Sequence, residues 1–475
     1  MRFYHLVQCF MAGILCALNT VSVAHAQSGF LARIVTGPGF TETQVNTGVA
    51  VQKVCANLKK LNDLSPLTGD PSDLFKECGR MVRTAQNLTP GAGKASGSTL
   101  GTSATEETLK NALQQVAPEE MAANSRTAIE ATAKNTANAL GGRLSALRAG
   151  ARGLSMNGVD YGKDGKAYAS QQVFGRKQRG GMAGADDGIG SKLGVFVNAA
   201  YNKGEKDETS REDGFDFNDW ALLGGIDYRF SDKFVAGVAL GYNQTKVDIT
   251  RSQGSINTDA WNVNTYATFN LNQFYIEGKL GYSRNSYDSD RNISYPSNPE
   301  NAFVPRIAKG STDGNQISVG LGAGYDWPLG GATLTSYGRL EYIKLSINAF
   351  DESGARGLNL HIDGQDADST QSALGLRGSY AISTAVGILV PQASVEWIHE
   401  FANGSRVITA RYVSDPQNNL IFIPTEQPDR NYFRISLGLS AAFQQGWSGF
   451  VNYENLQGLS NITQHSLLLG MRKQF

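Results

Sequence analysis

The stretch Gln464–Phe475, QHSLLLGMRKQF, decides how the rest of the chain reads. Taking alternate residues back from Phe475 puts Lys473, Met471, Leu469 and Leu467 on one face, against Gln474, Arg472, Gly470, Leu468, Ser466 and Gln464 on the other. One face is apolar and the other mostly polar. Period-2 alternation over about ten residues suits a tilted strand with lipid on one side and a wet lumen on the other. A half-buried strand of a soluble sandwich alternates in the same way, so the pattern decides the fold only if the preceding chain repeats it.

The preceding chain does repeat it. From Ser191 onward the spacing predicts twelve strands, at 191–202, 217–230, 233–248, 257–270, 273–288, 314–328, 331–347, 369–382, 385–401, 431–444, 447–456 and 464–475. In the third, Phe234, Ala236, Val238, Leu240 and Tyr242 alternate with Val235, Gly237, Ala239, Gly241 and Asn243. Apolar residues outside and small residues inside belong to a closed barrel in lipid, where no edge can be left unpaired. The connections alternate too. Turns such as Ser231-Asp232, Leu271-Asn272, Leu329-Gly330, Ser383-Thr384 and Gln445-Gly446 are short, whereas 203–216, 289–313, 348–368 and 402–430 are long and polar. Short turns at one end and long loops at the other are the outer-membrane pattern, which a soluble sandwich has no reason to adopt. Trp220, Tyr228, Phe230, Trp327, Trp397 and Trp447 lie near strand ends, as interfacial girdles require.

Composition agrees. Across 475 residues there are 54 glycines, and 43 basic residues balance 43 acidic ones, so nothing predicts a nucleic-acid partner. A slightly negative mean hydropathy argues against helical spans only, because every second residue of a barrel strand faces water.

Upstream, residues 1–26 read as a secretory signal peptide. Arg2 precedes the apolar run Phe10–Leu18, and Ala24-His25-Ala26 has the A-x-A form of a cleavage site, predicting a cut between Ala26 and Gln27. Removing it leaves Cys55 and Cys78, a pair expected to form a disulfide rather than a metal site or a nucleophile in an oxidising compartment. Residues 27–88 predict a small helical unit, with Val51, Val54, Leu58, Leu61 and Leu64 at helical spacing and a second run from Leu74 to Ala85. Residues 89–104, mostly Gly, Ser, Thr and Ala, predict a flexible linker. From 105 a long helical tract is expected, interrupted at Pro118 and carrying Arg143, Arg148 and Arg152 before a Gly-rich connector to 190. By itself this tract reads as an alanine-rich spacer or coiled-coil helix, although so thin and polar a rod also suits a wet channel.

The barrel region, 191–475, resembles the autotransporter (type V secretion) β-barrel translocator family. The resemblance rests on GRLEYIKLSINAFDESG at 338–354, HIDGQDADSTQSALGLRGSYAIS at 361–383, GILVPQASVEWIHEF at 387–401, FVNYE at 450–454 and the ending GMRKQF. It implies a twelve-stranded antiparallel transmembrane barrel in the outer membrane, with the helix ending near Arg152 lying in the lumen. It also implies export or display of the short N-terminal region at the cell surface. Phe475 resembles the terminal aromatic by which such barrels are recognised for insertion. Partners implied are outer-membrane lipid and the barrel-assembly and secretion machinery, with an unknown surface ligand. Unlike the long β-helical passengers of most members, this N-terminal region is short and helical. Asn135 and Asn138 are not adjacent, which speaks against self-cleavage in the pore.

Inward-facing Asp326, Arg339, Glu341 and Glu396 are expected in the lumen, either pairing with Arg143 or Arg148 or pairing across strands and lining water. No cofactor or metal is expected. The acidic group around His361, with Asp363, Asp366 and Asp368, reads as a solvated loop rather than a calcium site. Only His361, His399 and His465 remain after the signal peptide, and neither a G-x-S-x-G element nor an ordered Ser, His and Asp set supports catalysis. The competing readings are an adhesin or small porin acting through its loops, or a surface hydrolase.

Overall fold

The computed structural model describes residues 29–118, 159–161, 167–169, 193–250, 254–297, 302–303, 305–385, 387–443 and 447–473. The expectations for the signal peptide with Ala26 and Gln27, for the tract with Arg143, Arg148 and Arg152, and for Phe475 lie outside the described residues.

Twelve antiparallel strands form the barrel. They are β1 (Leu193–Lys206), β2 (Phe215–Arg229), β3 (Phe234–Ile249), β4 (Ser255–Leu271), β5 (Phe274–Ile293) and β6 (Arg306–Leu329). Then follow β7 (Ala332–Ile347), β8 (Gln365–Tyr380), β9 (Gly387–Glu400), β10 (Asn431–Phe443), β11 (Trp447–Gln457) and β12 (Ile462–Lys473). Each pairs with its sequence neighbour, and β12 closes on β1 with Leu467 opposite Tyr201. Closure removes every sheet edge, which is what allows the wall to stand in lipid. The wall follows the alternation: Leu240, Leu321, Leu340, Leu437 and Leu469 are exposed on the outside, whereas Val235, Ala239, Gln316, Arg434 and Leu468 are buried inside. Exposed Trp220 and Trp261 flank Tyr242 towards the loop end, and exposed Phe230 and Trp327 mark the turn end.

The strands run further than the sequence pattern predicts. A tilted span needs about 9–11 residues, yet β5 has 20 and β6 has 24. Beyond Tyr282 the outward residues of β5 become Arg284, Ser286, Asp288 and Asp290, so the apolar alternation ends while the backbone ladder to β6 continues to Ile293 opposite Arg306. Two stretches expected as polar loops also contain strands. Phe350–Asp351, Leu360–Ile362, Val407–Tyr412 and Leu420–Pro424 form a separate four-stranded antiparallel sheet, here called the crown, at the loop end.

The N-terminal helices pack on that crown. They are α1 (Phe30–Val35), α2 (Glu42–Leu64), α3 (Gly69–Leu88) and α4 (Glu106–Gln115). Thr41 caps α2 through a reciprocal pair of bonds with Gln44, satisfying donors that a helix start otherwise leaves orphaned. The stripe Val51, Val54 and Leu58 is buried, but Leu64 at the helix end is exposed. Cys55 on α2 and Cys78 on α3 are joined, with Cα atoms 5.5 Å apart. Losing that cross-link through Cys55→Ala with Cys78→Ala should cost the helical unit about 3 kcal/mol, given a loop of some twenty residues. The helical circular-dichroism transition should fall while the heat-modifiable gel shift of the barrel stays in place.

Residues 89–104 are not a free linker. Leu100 is fully buried, its N–H bonds Thr84 Oγ1 at 2.9 Å, and Arg83 Nε donates to the Ser98 carbonyl at 2.6 Å. Leu100 and these bonds hold the run along α3, which composition does not reveal. The helix following it, α4, likewise belongs to the unit on the crown, with Leu109, Ala112 and Leu113 in its core.

Candidate functional site

Two places concentrate chemistry: the inner wall of the barrel and the seam between helices and crown. On the inner wall from β1 to β5, polar side chains bond to one another. Asn202 and Thr245 donate to Asp219 at 2.7 and 2.8 Å, and Asn264 donates to Asn262, which donates to Asn243, at 2.7 and 2.9 Å.

From β5 to β11 the wall is ionic. Glu396 on β9 accepts from Arg339 on β7 at 2.8 Å, from Arg434 on β10 at 2.9 Å and from the Tyr337 hydroxyl at 2.7 Å. Lys279 on β5 meets Glu341 on β7 at 2.5 Å, and Arg339 lies 3.6 Å from the same carboxylate. Arg434 approaches Glu454 on β11 at 3.9 Å. Cations thus face carboxylates around this side of the wall, which is how charge withdrawn from bulk water is tolerated.

Glycines make these reaches possible. A Cβ on Gly320 of β6 would fall 2.4 Å from Lys279 Cε, and one on Gly375 of β8 would fall 2.4 Å from Tyr337 Cζ. Each side chain therefore lies across a bare stretch of the intervening strand to reach its partner two strands away. The run GLGAG at 320–324 carries this information as inward glycines.

Of the four residues expected in the lumen, Arg339, Glu341 and Glu396 belong to this cluster and pair across strands. Asp326 does not. It sits near the turn end of β6 and accepts from Thr335 Oγ1 at 2.6 Å. Lys279, Tyr337, Arg434 and Glu454 also belong to the cluster and were not singled out in the sequence, although each falls on the inward phase of its strand. Around His361, the ring lies 2.5 Å from Asp351 and 3.2 Å from Asp363 at the crown sheet, where both carboxylates stay exposed to solvent, while Asp366 and Asp368 lie on β8. Among the described residues no group of three or more His, Cys, Asp or Glu is placed to hold a metal ion.

At the seam, helices and crown share one apolar core: Val54, Leu58, Leu74 and Met81 pack in the same cluster as Leu360, Ile408, Tyr412, Ile421 and Ile423. Contacts come from loops all around the barrel mouth. Arg211 from the β1–β2 loop binds Glu42 at 2.8 Å, and Asp213 from the same loop accepts from Gln114 at 2.9 Å. Asn57 donates to Asn419 of the β9–β10 loop at 3.4 Å. Arg306 at the tip of β6 forks onto Asp73, at 2.5 and 3.0 Å, and onto Glu77 at 3.1 Å, while the Tyr295 hydroxyl donates to Glu77 at 3.0 Å. Burial, reinforced by the adjacent Glu77, pushes the Tyr295 phenol well above its ordinary range, so it stays protonated and serves as a donor. Arg291 near the tip of β5 binds Glu352 and the carbonyls of Leu358 and Gln115. Because these loops stand on opposite sides of the ring, the helical unit bridges the mouth.

The family described as the autotransporter β-domain matches residues 195–454. Among curated proteins, the esterase EstA of Pseudomonas aeruginosa is 24% identical over 270 residues, covering 55% of this chain and 39% of the esterase. Lipase 1 of Photorhabdus luminescens is 24% identical over 290 residues, covering 60% of this chain and 40% of the lipase. The extracellular serine protease of Serratia marcescens is 23% identical over 268 residues, or 56% of this chain and 24% of the protease. The chain therefore spans two fifths or less of these relatives. The translocator domain of autotransporter NalP from Neisseria meningitidis superposes with a TM-score of 0.49 at 19% identity, covering 61% of this chain and 90% of that domain.

Proposed function

The chain belongs to the autotransporter β-domain family, and on that premise we propose that its outer-membrane barrel carries its own N-terminal region outward and displays it at the cell surface. One observation carries this reading. The helical unit sits at the loop end, with Gln115 bonded to Arg291 and Ser294, whereas the barrel begins at Leu193, opposite Tyr228 beside the short turn at the other end. Long loops mark the outer side of such barrels.

Residues 118–192 must therefore connect the two ends. On this proposal the tract with Arg143, Arg148 and Arg152 runs through the lumen as the pore helix, since polar backbone facing lipid would go unsatisfied. The signal peptide ending at Ala26, cleavage before Gln27 and the insertion role of Phe475 belong to the same reading, as do the barrel-assembly and secretion machinery as partners. The role is transport and display rather than catalysis, and the enzymatic names belong to the relatives.

An epitope placed after Gly91, an exposed turn where an added side chain meets nothing within 4 Å, tests this. Antibody should label intact cells expressing the full chain. Labelling only after the outer membrane is permeabilised would sink display while leaving the barrel in place.

A further inference from the structure

We infer that the rim of the barrel mouth, at the tip of β6 and the β7–β8 loop, is a built receptor for the chain's own helix α3, so that the exported unit is held as a lid over the mouth rather than released. This rests on the display reading and adds what becomes of the displayed region.

Two features at the seam point to it. The first is an ion key. Arg306 belongs to the barrel, its side chain is only 9% exposed, and the carboxylates it binds, Asp73 and Glu77, lie one helical turn apart on α3. A guanidinium this enclosed is tolerated when it is forked onto carboxylates, and here the barrel holds the fork while the helix brings the acids. Glu77 is shared further, with Arg80 at 2.6 Å and with the Tyr295 hydroxyl from the β5–β6 loop.

The second is a steric seat. Gly357, in the short 3₁₀ turn Arg356–Leu358 of the β7–β8 loop, lies directly against the backbone of α3. A Cβ there would fall 2.3 Å from Leu74 N and 2.6 Å from the Asp70 carbonyl. Both atoms are main chain, so no rotamer change relieves the clash. The Gly357 N–H also donates to Asp73 at 3.1 Å, so the seat and the key meet at one residue of the helix. A surface that receives a helix by bare backbone on one side and a buried cation on the other is specific for that helix in one register.

The full-length protein in outer membranes, carrying the epitope after Gly91, tests the idea with Asp73→Arg on the helix, Arg306→Glu and Gly357→Val on the barrel, and the double swap of Asp73→Arg with Arg306→Glu. Proteolysis follows the population of the opened form. Each single change should leave the barrel heat-modifiable and the epitope labelled on intact cells, yet speed proteolysis of residues 29–117 at least tenfold. The swap should recover a measurable part of the protection. Asp73→Arg alters nothing in the barrel and keeps the test valid if the barrel variants assemble poorly. A labelled unit digested at the unmodified rate in Asp73→Arg, on an assembled barrel, would overturn the receptor. A swap no more protected than its parents would overturn the ion key. An epitope unlabelled on unmodified intact cells would instead overturn the display reading on which the inference stands.

Discussion

Replacing Glu396 by Ala should lower the stability of the barrel by about 3–5 kcal/mol, the usual cost of removing one partner from a buried ion pair. Its carboxylate receives Arg339, Arg434 and Tyr337 together, and all of these lie on the enclosed inner wall. Deletion leaves Arg339 with a 3.6 Å contact to Glu341 and Arg434 with a 3.9 Å contact to Glu454, both too long to replace the lost bonds. Glu396→Gln keeps an acceptor for Tyr337 but not the charge, so its loss should be intermediate. The temperature at which the folded gel band converts to the unfolded one reads both. If Glu396→Ala and the unmodified barrel convert at the same temperature, water in the lumen rather than this cluster satisfies the arginines.

Arg291→Met should destabilise the seam by a similar amount, about 3–5 kcal/mol. The side chain is 1% exposed, and its fork holds the Glu352 carboxylate through Nε at 3.0 Å and Nη2 at 2.5 Å. The remaining N–H groups take the Leu358 carbonyl at 2.9 Å and the Gln115 carbonyl at 2.8 Å. The last of these ends α4, where a cation also meets the negative end of the helix dipole. Met fills much of the volume but leaves the buried Glu352 carboxylate without its guanidinium partner, still bonded to the Leu360 N–H at 2.8 Å. Arg291→Lys should recover little, because a single ammonium cannot reproduce a planar fork. The expected signature is faster proteolysis of the helical unit with unchanged barrel conversion. Loss of both together would show that the tips of β5 and β6 are needed to close the barrel.

How much of this could be read from the chain follows from where each residue stands. Within lipid the two sides of a strand face opposite solvents, so Phe433, Ile435, Leu437 and Leu439 must alternate with Arg434, Ser436 and Gly438, and the strand count, the closure and the sorting of turns from loops are written in period 2. Above the apolar band that constraint lapses. Outward residues of β5 and β6 become polar, and the ladder from Asn285 to Ile293 leaves no hydropathy signal. The crown was hidden for a related reason. Val407–Tyr412 and Leu420–Pro424 alternate, with Ile408, Ala410, Ile421 and Ile423 buried, but each is shorter than a membrane span and sits in a stretch rich in Asn, Asp, Gly and Pro.

The helical unit shows the same division. Its stripe at Val51, Val54 and Leu58 and its pair of cysteines are local features, legible as such. What that stripe packs against is not local: Arg306 and Asp73 are 233 positions apart, and Gln115 and Arg291 are 176 apart. Within the membrane band the sequence alone determined which face of each strand meets lipid, because lipid and water act on each residue in turn. Only the tertiary structure decided which carboxylate meets which guanidinium, and that the N-terminal helices sit on the barrel mouth, because those choices rest on distances between residues that the chain keeps far apart.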